Sequence, residues 1–167
     1  YDTIHTGLLS FFPSPSMTPG RLNLLRVGEA RVLVDYAHNA AAVAGLMQLV
    51  RRLPARRRIG VLAAPGDRRD EDIRNVGRLA AGLDRVILKE DHDRRGRAPG
   101  EIAALLTQGL IEGGLPAERI ERIDDEAEAV ERLLEELGSG DLGFVLVDDV
   151  GGVLERIRPH VSGMGAA

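Results

Sequence analysis

From Arg21 onward the apolar positions alternate between two spacings. Short, nearly continuous runs suit buried strands. Between them lie longer stretches in which apolar residues recur every three or four positions, as on a helix that buries one face. Leu22, Leu24 and Leu25 predict a first strand, closed by a turn over Val27–Ala30, so that a hairpin folds around Gly28. Val32–Asp35 predicts a buried strand, and Val43, Leu46, Met47 and Val50 a helix over 40–53 that Pro54 ends. The same alternation gives a strand over 59–64, a helix over 70–83 and a strand over 85–89. A helix over 99–112 follows, with Pro99 in its first turn and Gly113-Gly114 as its stop. Ile120 and Ile123 mark a short strand, 126–137 a helix, 144–147 a last buried strand and 149–159 a final helix. Alternating strands and helices predict a Rossmann-like α/β fold, an open and mostly parallel sheet with helices on both faces, preceded by an N-terminal strand or hairpin.

Residues 1–20 break this pattern. Phe11-Phe12-Pro13-Ser14-Pro15-Ser16-Met17-Thr18-Pro19-Gly20 cannot continue a helix or a central strand. It reads as an extended arm or linker whose two phenylalanines pack on something else. The first residue is Tyr rather than Met, which suggests a piece of a longer protein. The expected division is a linker or tail of a preceding domain over 1–20 and one domain over 21–167.

Three predicted strand ends carry polar loops, at 35–39, 65–70 and 89–97. If the strands are parallel, all three lie on one edge of the sheet, where ligands of open α/β sheets bind. Asp35, His38 and Asn39 stand where a strand hands over to a helix N-terminus, which suits a phosphorylated ligand. Local spacing alone favours a simpler account, with Asn39 as a helix N-cap and Asp35 as a strand end. Gly66-Asp67-Arg68-Arg69-Asp70 can start a helix with Asp70 as cap, but two arginines beside a helix N-terminus oppose the dipole and point to a ligand instead. In Lys89-Glu90-Asp91-His92-Asp93-Arg94-Arg95-Gly96-Arg97 the carboxylates suit a guanidinium and the arginines a carboxylate.

Composition narrows the classes. Apolar residues make up 44% and aromatic ones 3%, an aliphatic core suited to helices packed on a parallel sheet. The net charge of −4, with both signs interspersed, argues against a general nucleic-acid binder. There is no cysteine, so disulfides and thiolate metal sites are excluded and a cytoplasmic location is expected. His5, His38, His92 and His160 are too dispersed for a zinc site, so no metal-ligating residue is assigned. No apolar run is long enough to span a membrane. The chain carries no G-x-x-x-x-G-K-[ST] phosphate loop, no G-x-G-x-x-G and no G-x-S-x-G elbow, and no nucleophile stands out. It reads as a ligand-contacting domain without a catalytic residue of its own.

Pro19-Gly20-Arg21-Leu22-Asn23, Val34-Asp35-Tyr36-Ala37-His38-Asn39 and Gly66-Asp67-Arg68-Arg69-Asp70 resemble the C-terminal domain of the Mur ligase superfamily, which includes the folylpolyglutamate synthetases. Gly66–Asp72, Lys89-Glu90-Asp91 and Arg95-Gly96-Arg97 are most similar to the cyanophycin synthetase branch. That resemblance implies an ATP-dependent acid–amino-acid ligase. A carboxylate becomes an acyl phosphate and an amine attacks it. A preceding central domain holds the phosphate loop and most magnesium contacts, and this domain closes over it. Arg21, Asp35, His38 and Asn39 are the implied ATP contacts. Asp67, Arg68, Arg69, Asp70, Lys89, Glu90, Asp91, Arg94 and Arg97 are the implied contacts to arginine and to a cyanophycin-type polymer or another amino-acid or peptide acceptor. No catalytic residue is implied, and the fragment alone is expected to be inactive. A homo-oligomer is left open. Ala40 departs from the family's usual proline, a change with little effect in a first helical turn. The alternatives are another Mur-type or folylpolyglutamate ligase, although Lys89-Glu90-Asp91 stands where diaminopimelate-adding enzymes show a D-N-P-R type motif. A receiver-like regulatory domain is a further one, poorly matched because the Asp148-Asp149 pair at a strand end lies near the C-terminus and Lys89 comes too early.

Overall fold

The computed structural model describes residues 14–164. Seven strands form one sheet in the order β5-β4-β3-β6-β2-β1-β7. The strands are β1 (Asn23–Val27), β2 (Ala30–Asp35), β3 (Arg58–Leu62), β4 (Arg85–Leu88), β5 (Ile120–Arg122), β6 (Leu142–Leu146) and β7 (Val161–Met164). The helices are α1 (Ala40–Arg52), α2 (Asp70–Ala80), α3 (Glu101–Glu112), α4 (Glu126–Glu136) and α5 (Val150–Ile157).

β2 through β6 pair in parallel, with Val34 opposite Val145 and Val61 opposite both Ile87 and Val145. β1 runs against them in the predicted hairpin, Val27 opposite Ala30, with Gly28 at φ 56° in the turn. The hairpin strand is Asn23–Val27, so Val27 belongs to the ladder rather than to the turn. β7 pairs antiparallel with β1 and was not predicted. Its sequence, Val161-Ser-Gly-Met164, is too short and mixed to carry a period.

Alternation along the strands sends side chains to two cores. Leu33, Leu62, Leu88, Phe144 and Leu146 face α1, α2 and α3. Val32, Val34, Ile59, Val61, Ile87 and Val145 face α4 and α5. Helices therefore cover both faces, as expected for strands that are apolar on both sides. α2 and α3 touch through glycines: a Cβ on Gly109 would lie 2.0 Å from the Arg74 carbonyl oxygen, and one on Gly77 2.4 Å from that of Leu106.

Two helix starts differ from expectation. α3 begins at Glu101, with Gly100 in the left-handed region at φ 83°, so Pro99 lies before the helix. The N-cap of α2 is Arg69, not Asp70, and it makes no side-chain cap. Arg69 instead reaches Asp72 at 2.9 Å, so a carboxylate in the first turn offsets its unfavourable charge. Phe11 and Phe12, and most of the expected linker, lie outside the described residues; within it, the Met17 and Thr18 amides donate to the Ser14 carbonyl. No helix among the described residues is long and apolar enough to cross a membrane.

Candidate functional site

β2 and β3 are separated in the sheet by β6, inserted late in the chain, and the helices change face between α3 and α4. Such a switch point opens a crevice at the carboxyl ends of the flanking strands. The loops after β2, β3, β4 and β6 meet there around a cleft of about 210 Å³. Tyr36 and His38 come from the first loop, Arg68 from the second, Asp91 and Arg95 from the third, and Asp148 from the fourth.

The first loop is built on local hydrogen bonds. Asn39 is the N-cap of α1, its Oδ1 accepting the Ala42 amide at 2.9 Å, as the simpler reading of the spacing has it. Asp35 is 7% exposed and accepts the Leu22 amide at 2.9 Å. It thus braces the entry of the chain rather than presenting a free carboxylate. Leu22 itself lies at φ 50°, a conformation unusual for a bulky residue. Arg21 is exposed beside it, its guanidinium carbon 5.3 Å from the centre of the Tyr36 ring. His38 is exposed, its ring 5.5 Å from that of Tyr36, with Nδ1 3.2 Å from the Tyr36 carbonyl oxygen.

Most charges of the second and third loops are spent on each other. Arg97 joins the loops, donating to the carbonyls of Gly66 (2.8 Å) and Arg68 (2.6 Å) and pairing with Asp70 (2.8 Å) and Glu101 (2.6 Å). Asp67 pairs with Arg95 at 2.9 Å and lies 3.7 Å from Arg68. Gly66 is where these loops come closest, since a Cβ there would lie 2.1 Å from the Arg94 carbonyl oxygen. Glu90 is buried, receives the Gly100 amide, and sits 3.7 Å from Arg94 and 3.8 Å from Arg122. Glu90 and Arg94 face a larger, adjoining groove of about 900 Å³, which Asp91 and Asp148 also line. Arg69 points away to Asp72.

Lys89, expected to meet substrate, is enclosed. Its side chain is 0% exposed and its ammonium lies 2.8 Å from both Asp91 and Glu126. The residue continues the alternation of β4 onto the face of Ile87, which α4 covers. Burial pushes the ammonium pKa down, but Asp91 and Glu126 outweigh it and hold the group protonated, above its ordinary value. In the sequence Asp148 stands out only as half of a receiver-type pair. It ends at the cleft rim because β6 is parallel to β2 and β3, and an Asp pair after the last buried strand was the signal for it. Desolvation raises its carboxyl pKa above the usual range, Asp91 and Glu126 add to this, and Lys89 partly opposes it.

The family described as Mur ligase, glutamate ligase domain matches residues 20–147. The chain belongs to the Mur ligase C-terminal domain family. It is 41% identical to the cyanophycin synthetase of Trichormus variabilis over 158 residues, which cover 94% of this chain and 17% of that protein. It is 31% identical to the UDP-N-acetylmuramoyl-L-alanyl-D-glutamate–2,6-diaminopimelate ligase of Corynebacterium efficiens, covering 85% of this chain and 28% of that one. Against the cyanophycin synthetases, then, the chain spans about a sixth of their length. Among solved structures, a UDP-N-acetylmuramoyl-L-alanyl-D-glutamate–2,6-diaminopimelate ligase superposes with a TM-score of 0.69 at 25% identity, over 93% of this chain and 36% of that one. A Mycobacterium tuberculosis folylpolyglutamate synthase complexed with ADP and AMPPCP shares the fold, with a TM-score of 0.66 at 20% identity over 94% and 34%.

Proposed function

We propose that this chain is the C-terminal lid of a cyanophycin synthetase-type ligase, which adds arginine to the aspartate side chains of a poly-aspartate backbone. The observation that carries the reading is the convergence of the strand-end loops on one cleft, in a chain about 40% identical to cyanophycin synthetases across nearly its whole length. ATP, when bound, supplies the phosphoryl group that activates the acceptor carboxylate. Among the described residues no group of three or more His, Asp or Glu side chains is placed to hold a metal ion. Magnesium, as the resemblance implies, would be held mainly by a preceding central domain.

Arg21 and His38, both exposed on the first loop, are the residues here that fit ATP phosphates: one a fixed cation, the other an imidazole nitrogen donor. Asp35 and Asn39 act one step back, holding the backbone on which they stand. Arg68 and Arg94, loosely paired at 3.7 Å, are the free-standing cations for acceptor carboxylates. Asp67, Asp70 and Glu90 already have cations or amides; Asp91 and Asp148, which line both the cleft and the adjoining groove, are the carboxylates assigned to the guanidinium of the incoming arginine. Closing this face on the central domain aligns amine and activated carboxylate and excludes water, the main source of rate in such a transfer.

The test is ATP turnover by the complete enzyme with a β-linked aspartyl-arginine primer and arginine. Replacing Arg21 or His38 with Ala should lower turnover about tenfold or more without changing the melting temperature. Wild-type kinetics in both variants would remove the nucleotide assignment. Absence of turnover with arginine, but turnover with glutamate or diaminopimelate, would move the protein to another Mur-type branch.

A further inference from the structure

We infer that the pair of buried Lys89 and half-buried Glu126 is a positioning device for the incoming amino acid, fixing the loop after β4 against the loop after β6. The inference rests on the ligase reading above. Lys89 directly follows the last residue of β4, and Glu126 is the first residue of α4. Lys89 Nζ lies 2.8 Å from Asp91 Oδ1 on the third loop and 2.8 Å from Glu126 Oε1. The two Glu126 oxygens in turn accept the amides of Asp148 and Asp149, each at 2.8 Å. One ammonium and one carboxylate thus grip the cleft from two sides. They hold a cleft carboxylate directly on one side and the backbone of the other cleft carboxylate on the opposite side.

Stability alone does not explain the pair. A buried ion pair contributes no more than an apolar pair of similar volume, and often less. Ile87 and Val147 show that apolar residues fill this side of the sheet readily. What an apolar pair cannot do is orient two backbone amides and a carboxylate at once. The pair also sets the charge that an incoming amino acid meets. Lys89 opposes Asp91, Glu126 and Asp148, so when all are ionised the centre carries an excess of negative charge that suits a cation. In this arrangement Lys89 is enclosed and the oxygens of Glu126 are taken by Lys89 and two backbone amides, so Asp91 and Asp148 are the carboxylates left to meet the substrate.

The experiment uses the complete enzyme, varying each substrate in turn, for wild type, Lys89→Met, Glu126→Gln and the double variant. A positioning role predicts that KM for the amino acid rises about tenfold to a hundredfold, while KM for ATP stays within about twofold. It predicts that the single changes do not add, because both break one linkage. In Lys89→Met the acid limb of kcat/KM for the amino acid should move up by about one pH unit, since Asp148 loses the cation that partly opposes the rise of its pKa. A variant that melts with wild type and keeps wild-type KM and pH profile overturns the inference. A parallel rise of both KM values with a lowered melting temperature does so too, since that is what a merely structural pair would give. If Lys89→Met does not fold, the isosteric Glu126→Gln decides. Wild type is first offered arginine, lysine, glutamate and diaminopimelate. If the amine used is not arginine, the arginine reading fails and the pair is judged on KM for the amine that is used. If none is used, the ligase reading and this inference fall together.

Discussion

Asp141 opens β6 at the end of the sheet away from the cleft, and it is the best-held carboxylate of the described chain. Its side chain is 0% exposed, Arg57 pairs with it at 2.6 Å and Arg56 at 3.1 Å, and the Gly138 amide donates at 2.9 Å. Burial works against the charge, but these partners prevail and lower its pKa from 3.8 to about 2. At about 1.36 kcal/mol per pH unit, that difference contributes about 2 kcal/mol of folding stability at neutral pH. The sign follows from the folded value lying below the unfolded one. The contribution is complete above pH 3.8 and is lost as pH falls from there through about 2. Asp141→Asn keeps the shape but leaves Arg56 and Arg57 without their anion. Urea unfolding at neutral pH should show the variant less stable by about 2 kcal/mol. Repeating the titration at lower pH, where the fold survives, should show the gap narrowing as the wild type protonates. The other carboxylates cancel in that difference. A gap that stays constant with pH, or one below about 0.5 kcal/mol at neutral pH, would refute the assignment of the stability to this charge.

Gly109→Ala places a methyl group against the Arg74 carbonyl at the α2–α3 contact, where neither backbone can yield. It should cost about 1–3 kcal/mol, read as a lower melting temperature. Arg97→Met removes the donor that ties Gly66 and Arg68 to the third loop, along with two ion pairs. Stability should fall by about 1–3 kcal/mol, and hydrogen exchange should rise in residues 66–70 and 93–98 more than elsewhere. Because Asp148 holds its proton to higher pH than an ordinary carboxylate, binding a cationic amino acid there should release protons in mildly acidic solution. Calorimetry in two buffers of different ionisation enthalpy checks this, and a buffer-independent heat would contradict it.

The sequence made the sheet legible wherever strands were apolar on both faces, as at Val32–Asp35 and Phe144–Val147, and wherever a helix had a proline, glycine or Asn cap to bound it. β7 escaped because an edge strand paired only to a hairpin needs no apolar run. The cleft was legible to the extent that parallel strands place their loops on one edge. What spacing could not provide was the pairing of charges within those loops. Arg68, Arg69, Arg94 and Arg97 are alike on paper, yet Arg97 is a staple with four partners, Arg69 leans away to Asp72, and only Arg68 lines the cleft. Which arginine meets which carboxylate depends on how closely loops from distant parts of the chain approach. That approach is set by a glycine at 66 with no room for a side chain, not by any local pattern.

Lys89 shows how far the same rule reaches when carried one residue further. Val86 and Leu88 belong to the core under α1–α3 and Ile87 to the core under α4 and α5, so position 89 falls on the α4 face. A lysine there must be paired, because an isolated ammonium in that setting would lose its proton rather than stay charged. The nearest source of a carboxylate is the first turn of α4, where acidic residues are favoured by the helix dipole. Glu126 is the first residue of that helix. The alternation of β4 and the dipole of α4 together point to this pair without any knowledge of the ligand. They also explain why Lys89, at the strand-end edge of the sheet, is enclosed and paired rather than exposed.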